Sequence, residues 1–111
     1  MFNKADIDAY FDVIKADYLN WAPINGDPIR EKMYNEFCDG LGYEVGSKYL
    51  KVVKRYRGGS TVHSFICLKD TNKFKKGDIL MAASFKAPAT NFARGNLLEK
   101  TFDRIRWTGA M

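Results

Sequence analysis

The chain has 111 residues, of which 46% are hydrophobic, and this size and composition suit one globular domain and argue against a disordered chain. No apolar run approaches the ~20 residues of a membrane-spanning helix, and the acidic, patterned start MFNKADIDAY differs from a signal peptide. We therefore expect a single domain over residues 1–111 in the cytoplasm, with Cys38 and Cys67 as reduced thiols.

The net charge of +5 hides a strong asymmetry between two parts of the chain. Residues 1–46 carry four basic and nine acidic side chains, a net charge of −5, whereas residues 47–111 carry fourteen basic and four acidic ones, a net charge of +10. A basic half is typical of a nucleic-acid-binding surface, and an acidic half of a surface for basic partners. Attraction between the two halves within one fold would give the same pattern.

The first element is expected to be a helix near residues 4–20. Asn3 is its candidate N-cap, and its apolar residues recur at spacings of three and four, which places them on one face. These residues are Ile7, Tyr10, Phe11, Ile14 and Tyr18. Pro23 and the Asn25-Gly26 pair then predict a turn.

A second helix is expected near residues 28–40. Asp27 can accept hydrogen bonds from the free amides of a helix start, and Pro28 suits the first helical position. The apolar stripe consists of Ile29, Met33, Phe37 and Leu41, broadened by Tyr34 and Cys38. Gly40 and Gly42 bracket the expected end of this helix.

From Ser47 onward the apolar residues recur at every second position, which is typical of β-strands. The segments YLKVVKRYR and STVHSFICL flank Gly58-Gly59 and predict a hairpin around these glycines. The simplest register places Tyr56 opposite Thr61 and Leu50 opposite Cys67.

The remaining elements are a third strand, ILMAASF at residues 79–85, and a terminal element at residues 101–107 that is either a fourth strand or a short helix. The predicted fold class is therefore α+β, with two N-terminal helices packed on one face of a small antiparallel sheet of three to four strands.

The sequence offers little support for catalysis. His63 is the only histidine, and Cys67 lies on the same predicted strand about 13 Å away, too far for a hydrogen bond. A serine or Cys38 could still meet His63 across the fold. The glycines of YRGGST lack the Lys-Ser/Thr ending of a phosphate-binding loop. We expect a protein without enzymatic activity, cofactor or metal, in which His63 is structural or lies at the surface.

Basic residues interleaved with aromatic ones are the strongest functional pattern. Cationic side chains can neutralise phosphates, and exposed aromatic rings can stack on unpaired bases. The predicted nucleic-acid contacts are Lys51, Lys54, Arg55, Arg57, Lys73, Lys75, Lys76 and Arg94. The pattern does not distinguish DNA from RNA, nor exposed aromatic residues from core ones.

The segment FKAPATNFARGNLLEK, residues 85–100, has neither strand alternation nor a helical stripe. Pro88 should end the third strand, and Gly95-Asn96 suits a turn. Lys86, Asn91 and Asn96, together with Arg94, carry donors that could bind a phosphate or could fix the loop to its own carbonyl groups. We favour the structural role.

The stretch KGDILMAASFKAPATNFARGNLL, together with the terminal RWTGAM, resembles small uncharacterised proteins encoded by tailed bacteriophages. The matching residues are Ala82–Phe85, Lys86–Ala89 and Ala93–Asn96, and the two helices fall outside the resemblance. This resemblance implies a phage origin and the cytoplasm of an infected bacterium, and it implies no activity.

Three hypotheses about function follow. The first is a non-enzymatic phage accessory protein that binds nucleic acid through its basic C-terminal half. The alternative is a phage protein that binds and modulates a host protein, such as a defence or transcription component, through its acidic helices or exposed aromatic residues. The third is a small enzyme of unknown reaction.

Overall fold

The computed structural model describes residues 2–111. Its helices are α1 (Lys4–Trp21) and α2 (Pro28–Gly40), and its strands are β1 (Leu41–Val45), β2 (Tyr49–Tyr56), β3 (Gly59–Cys67), β4 (Asp78–Met81), β5 (Gly95–Asn96), β6 (Ile105–Arg106) and β7 (Gly109–Ala110). Strands β1 to β5 form one antiparallel sheet in chain order, and β6 pairs with β7 in a separate ribbon. The α+β prediction is confirmed, but the sheet has five strands and not three to four.

The first helix begins and packs as its sequence predicts. The Asn3 side chain accepts a hydrogen bond from the Asp6 amide at 2.9 Å, and the Asp6 carboxylate accepts one from the Asn3 amide, which forms a capping box. Four residues at spacings of three and four are buried on one face of this helix, namely Ile7, Tyr10, Ile14 and Tyr18. No helix within residues 2–111 is long and apolar enough to cross a bilayer.

The second helix has the predicted bounds but not the predicted packing. Asp27 caps it by accepting a hydrogen bond from the Ile29 amide at 2.9 Å. None of its residues is fully buried, and its inward contacts come from partly buried side chains such as Phe37. Ile29 and Met33, expected in the apolar stripe against the core, are exposed at 70% and 53%.

Strand β1 was not predicted, because Gly40 and Gly42 were interpreted only as the end of a helix. The chain passes from α2 directly into β1, which pairs with β2. A Cβ atom on Gly40 would lie 2.1 Å from the Arg55 carbonyl oxygen, so glycine permits the close approach of the neighbouring strand.

The β2–β3 hairpin lies where it was predicted, but its register is different. Tyr56 pairs with Gly59 across a two-residue loop, and not with Thr61. Further along, Tyr49 pairs with Cys67, because the register shifts by one residue between Val52 and Val53. A shift of one residue exchanges the two faces of a strand, so this irregularity determines which side chains meet the helices.

The irregularity is a β-bulge at His63. Val52 pairs with Ser64 and Val53 pairs with Val62, which leaves His63 as the extra residue on β3. A bulge redirects side chains locally. Here it allows two consecutive residues, His63 and Ser64, to lie close to the hydroxyl group of Tyr10 in α1.

The sheet is covered on both faces. On the face toward α1, the core includes Leu50, Val52, Ile66 and Ile79. On the opposite face, called here the open face, Phe65, Cys67 and Leu80 are covered by the partly buried Phe74, Ala82 and Ala93. Segment 82–94 therefore acts as a cover for part of the open face.

The third and terminal strands are shorter than predicted. Strand β4 ends at Met81, and beyond it Ala82 makes an isolated bridge with Pro88. The terminal element left open between strand and helix contains strand β6, which pairs with β7. Ile105 and Ala110 of this ribbon join the core on the α1 side.

A buried chain of hydrogen bonds joins α1, β3 and β6. The imidazole Nε2 of His63 lies 2.7 Å from the Arg106 carbonyl oxygen and must donate to it, which leaves Nδ1 as an acceptor for the Ser64 hydroxyl at 2.8 Å. Ser64 in turn accepts from the Tyr10 hydroxyl at 2.7 Å. Burial raises the pKa of the Tyr10 phenol, which keeps it a hydroxyl donor.

This chain of hydrogen bonds predicts that stability falls in mild acid. Burial lowers the pKa of His63 from 6.5 to about 4, so between these values the unfolded chain binds a proton that the folded protein excludes. The free energy of unfolding should therefore decrease by about 2 kcal/mol between pH 7 and pH 5. Urea unfolding across this range measures the change.

The control is His63→Gln, which removes the titrating group and should show a flatter dependence of unfolding free energy on pH. Because the chain has one histidine, a proton NMR titration of the wild type reports its pKa without overlap. An imidazole that titrates near 6.5 in the folded protein would contradict the prediction.

Candidate nucleic-acid interface

Basic residues on the open face gather around a groove at one end of the sheet. This lysine groove, of about 310 Å³, runs along the turn from Glu44 to Lys48, and its other lining residues are Tyr49, Lys51, Phe65 and Lys86. Strands β1 and β2 form one wall, and the segment after β4 forms the other. Of the predicted contacts, Lys51 lies in this groove, and so does the loop candidate Lys86.

Lys51 lies among aromatic rings. It pairs with Phe65 across β2 and β3, and its ammonium nitrogen is 5.8 Å from the centre of the Phe65 ring and 4.4 Å from that of Phe85. Phe85 is 49% exposed. Cation–π attraction keeps the ammonium group at the surface beside an exposed ring, which is the combination that a phosphate and a stacked base require.

A tight turn at residues 83–87 presents Phe85 and Lys86. The amides of Ala83 and Ser84 donate to the Ala87 carbonyl at 3.0 and 3.1 Å, and the Ser84 hydroxyl accepts from the amides of Lys86 and Ala87. These bonds fix the backbone of the turn while both outward side chains stay exposed.

Arg94 holds the rest of this segment in place. It is buried, its guanidinium group lies 3.7 Å from the centre of the Phe92 ring, and it donates to the Asn91 side-chain oxygen at 3.0 Å and to the Phe92 carbonyl at 2.8 Å. Arg94 and Asn91 therefore bond to each other, while the buried Nε of Arg94 has no partner among the described residues. Because Arg94 is buried, we leave it out of the set of nucleic-acid contacts.

Asn96 is also a structural residue. Its amide group donates to the Lys76 carbonyl at 3.1 Å and to the Asp78 carboxylate at 3.0 Å, and its side-chain oxygen accepts from the amides of Leu98 and Glu99. Asn96 is buried, so its donors are not available to a ligand.

Lys54 lies on the opposite face of the sheet from Lys51. Its ammonium group donates to the Thr108 carbonyl at 3.1 Å and lies 5.6 Å from the centre of the Trp107 ring. Burial lowers the pKa of Lys54, and the same burial makes it a poor phosphate contact.

The three predicted contacts in the turn after β3, namely Lys73, Lys75 and Lys76, do not form one cluster. Lys73 lies over its neighbour Phe74, whereas Lys76 lies 5.8 Å from the ring of Phe2, a residue of the α1-side core. Lys75 pairs with Glu99, and this hydrogen bond raises the pKa of Lys75. Of these three predicted contacts, Lys73 is therefore the one left for a ligand, and it lies near the end of the sheet that bears the groove.

Arg55 and Arg57 extend the basic surface toward the hairpin tip. Arg55 lies 3.7 Å from the Glu44 carboxylate, and Arg57 is exposed in the hairpin loop. Arg57 lies nine positions after Lys48, a span of about 30 Å at the strand rise. The two arginines therefore lie far from the turn that contains Lys73.

Ser64 is a hydrogen-bond partner of His63 that strand spacing did not predict. Their geometry is that of a base and a nucleophile, but both residues are buried, at 1% and 0% exposure. Within residues 2–111, no three His, Cys, Asp or Glu side chains converge as metal ligands would.

Lys48 in the groove and Phe85 beside Lys51 were missing from the predicted contacts. Lys48 precedes β2 in sequence, and Phe85 belongs to a segment without regular periodicity. The available signal was the adjacent Phe85-Lys86 pair, an aromatic and a cation in a turn bounded by Ser84 and Pro88.

The fold and this groove define an α+β domain with a cationic, aromatic site on the open face of its sheet. Residues 6–111 match the family of unknown function DUF7717, and the chain belongs to this family. No curated protein and no solved structure matches the chain. The function of this family is unknown.

The contacts of Arg94 predict that Arg94→Lys loosens the cover of the open face. Lysine keeps the charge but cannot make the paired hydrogen bonds while stacking on Phe92, so the unfolding free energy should fall by about 1–2 kcal/mol. Hydrogen exchange at residues 82–94 should accelerate as well.

The matched control is Arg104→Lys. Arg104 is exposed and lies 5.4 Å from the same Phe92 ring, so its replacement should change stability by less than about 0.5 kcal/mol. Equal effects of the two changes would show that the hydrogen bonds of Arg94 do not hold the segment.

Proposed function

We propose that this protein is a non-enzymatic phage accessory protein that binds single-stranded nucleic acid through the lysine groove. The observation that carries the proposal is that Lys48, Lys51 and Lys86 line one groove, with the Lys51 ammonium nitrogen 4.4 Å from the centre of the exposed Phe85 ring. The phage origin and the cytoplasm of the infected bacterium rest on the sequence resemblance alone.

The preference for a single strand follows from the shape and chemistry of the surface. Ammonium groups neutralise phosphates of any nucleic acid, but an exposed aromatic ring is useful only where a base is free to stack. Phe85 projects from a turn beside the groove, and Tyr56 is exposed near the hairpin tip. A flexible strand can follow such a surface more readily than a rigid duplex.

The charge of the groove favours an anionic ligand. Three lysines line it against a single carboxylate, that of Glu44, and Glu44 lies within ion-pair distance of Arg55. The basic surface continues to Arg55 and Arg57 at the hairpin tip. A nucleic-acid backbone that follows the open face could therefore contact the groove and the hairpin tip.

Binding fits the fold better than catalysis does. The one histidine and its serine partner are sealed beneath α1, and the acceptor and donor positions of the imidazole are occupied by Ser64 and Arg106. A substrate would have to displace core packing in order to reach them. We therefore propose that the protein has no enzymatic activity.

The proposal predicts a loss of salt-dependent binding when the groove loses its charge. Replacing Lys48, Lys51 and Lys86 together with Gln should weaken binding to a single-stranded oligonucleotide. The slope of log K against log salt should become about 2 less steep, because a complex with fewer phosphate contacts releases fewer condensed counterions when it forms. Fluorescence anisotropy with labelled DNA and RNA strands, and with a DNA duplex, measures this effect.

The control replaces Lys4, Lys15 and Lys32 with Gln. These lysines lie on the helices, and the change in net charge is identical, so binding and slope should stay close to the wild type. Equal losses in the two triple variants would reveal non-specific charge attraction. Absence of wild-type binding at low salt would refute the proposal, and the host-protein hypothesis would then lead.

Stacking makes a distinct prediction for Phe85→Ala. The loss of a stacked base should weaken single-strand binding by about 1–3 kcal/mol while the salt slope stays unchanged, because no cation is removed. The exposed Phe92 lies outside the lysine groove and stacks on Arg94, so Phe92→Ala tests whether any exposed ring has the same effect. A wild-type affinity in Phe85→Ala would remove stacking from the mechanism.

A further inference from the structure

The turn at residues 83–87 borders two different grooves on the open face. Lys86 lines the lysine groove, whereas its neighbour Phe85 lines a second groove of about 290 Å³. This second groove, called here the hydroxyl groove, is formed by residues 60–62 of β3 and residues 82–85 after β4. Because consecutive Cα atoms are about 3.8 Å apart, the two grooves adjoin closely enough for one nucleotide to reach both.

The Phe85 ring is placed to accept a base in the hydroxyl groove. The Lys51 ammonium nitrogen lies over the ring, 4.4 Å from its centre, which leaves the other face for a base. The ring is 49% exposed, and it lines the hydroxyl groove but not the lysine groove. A base that stacks on Phe85 therefore lies in the hydroxyl groove, while the lysine groove holds the phosphate.

The lining of the hydroxyl groove suits a base better than a phosphate. None of the residues that line it is charged. Val62 and Ala82 are partly buried and belong to the apolar cluster of the open face, and Ser60, Thr61 and Ser84 add exposed hydroxyl groups. Hydroxyl groups both donate and accept hydrogen bonds, so they can pair with the polar edge of a base that rests on the apolar surface.

The Ser84 hydroxyl is oriented to donate. Its oxygen accepts from the amides of Lys86 and Ala87 at 3.3 and 3.2 Å, which leaves its hydrogen for a carbonyl oxygen or ring nitrogen of a base. The turn that presents Phe85 therefore also fixes a hydrogen-bond donor beside the ring.

Cations flank the hydroxyl groove on both sides. Lys51 pairs with Phe65 across β2 and β3, and Arg55 pairs with Ser60. Lys51 and Arg55 lie four positions apart on β2, about 13 Å at the strand rise, and alternation along the strand places both on the open face. A nucleotide within a strand has a phosphate on each side of its sugar, so a base in this groove leaves one phosphate toward each cation.

We propose that the hydroxyl groove is a base-binding site, in which a nucleobase stacks on Phe85 and pairs with the hydroxyl groups of Ser60, Thr61 and Ser84. This site rests on the proposed function, because the lysine groove has to hold the backbone of the same strand. It adds a requirement for the base itself, so that a strand with phosphates but without bases is a weaker ligand.

A comparison with an abasic strand separates the two grooves. The ligands are an oligothymidylate of about eight nucleotides and an abasic strand of the same length, and fluorescence anisotropy measures both. The wild type should bind the oligothymidylate about tenfold more tightly, with the same salt slope for both because the phosphates are the same. Equal affinities overturn the base site and leave the lysine groove standing. Absence of binding to either strand at low salt refutes the proposed function, and the base site with it.

Ala83→Leu blocks the hydroxyl groove without changing its charge. Ala83 lines the groove and is exposed, so leucine adds bulk there without disturbing the core. The affinity for oligothymidylate should fall about tenfold, to that of the abasic strand, whose own affinity should not change. Ala87→Leu is the matched control, because Ala87 is exposed in the same turn and lines neither groove. Equal losses in the two variants, or an undiminished preference in Ala83→Leu, overturn the base site.

Amide chemical shifts locate the base in the wild-type protein, without any substitution. Both strands should shift the amides of residues 46–51, whereas oligothymidylate alone should shift those of residues 60–62 and 83–84. Base-dependent shifts confined to the lysine groove, or to a surface outside both grooves, contradict the assignment.

Discussion

The hydrogen-bonded chain from Tyr10 through Ser64 and His63 to the Arg106 carbonyl is the buried polar contact that links three parts of the fold. It joins the first helix, the centre of the sheet and the terminal ribbon in one buried line. Each donor has one acceptor, so the chain is satisfied only when the imidazole is neutral. A buried polar line of this kind is costly when broken, which fixes the position of α1 over the sheet.

The β-bulge is what makes this line possible. In a regular strand, His63 and Ser64 would point to opposite faces, and one of them would lie on the open face. The extra residue allows both to approach α1, and it leaves Val62 and Phe65 on the open face with Lys51. The position of the lysine groove on the far side of the sheet therefore depends on the same irregularity that buries the histidine.

The helices were predictable because local rules determine them. Asn3 and Asp27 cap the helices at the predicted starts, and the spacing of Ile7, Tyr10, Ile14 and Tyr18 gave the buried face. The register of the hairpin was not predictable in this way, since a bulge leaves no periodic signal in a strand with apolar and polar residues on both faces.

The candidate site was predicted only in part, for a related reason. Net charge indicated the basic half of the chain, but it could not separate Lys51 in the groove from Lys54 on the other face or from Arg94 beneath the loop. These three cations differ in burial and in their hydrogen-bond partners, and tertiary packing determines both. The short strand β1 was missed because a glycine that allows close approach has the same sequence signature as one that ends a helix.

The charge asymmetry of the chain acquires a spatial meaning in this fold. The acidic part forms the two helices, and the basic part forms most of the sheet, whose open face is turned away from α1. The acidic helices and the basic sheet can therefore attract each other within the fold while the open face of the sheet stays available to a ligand.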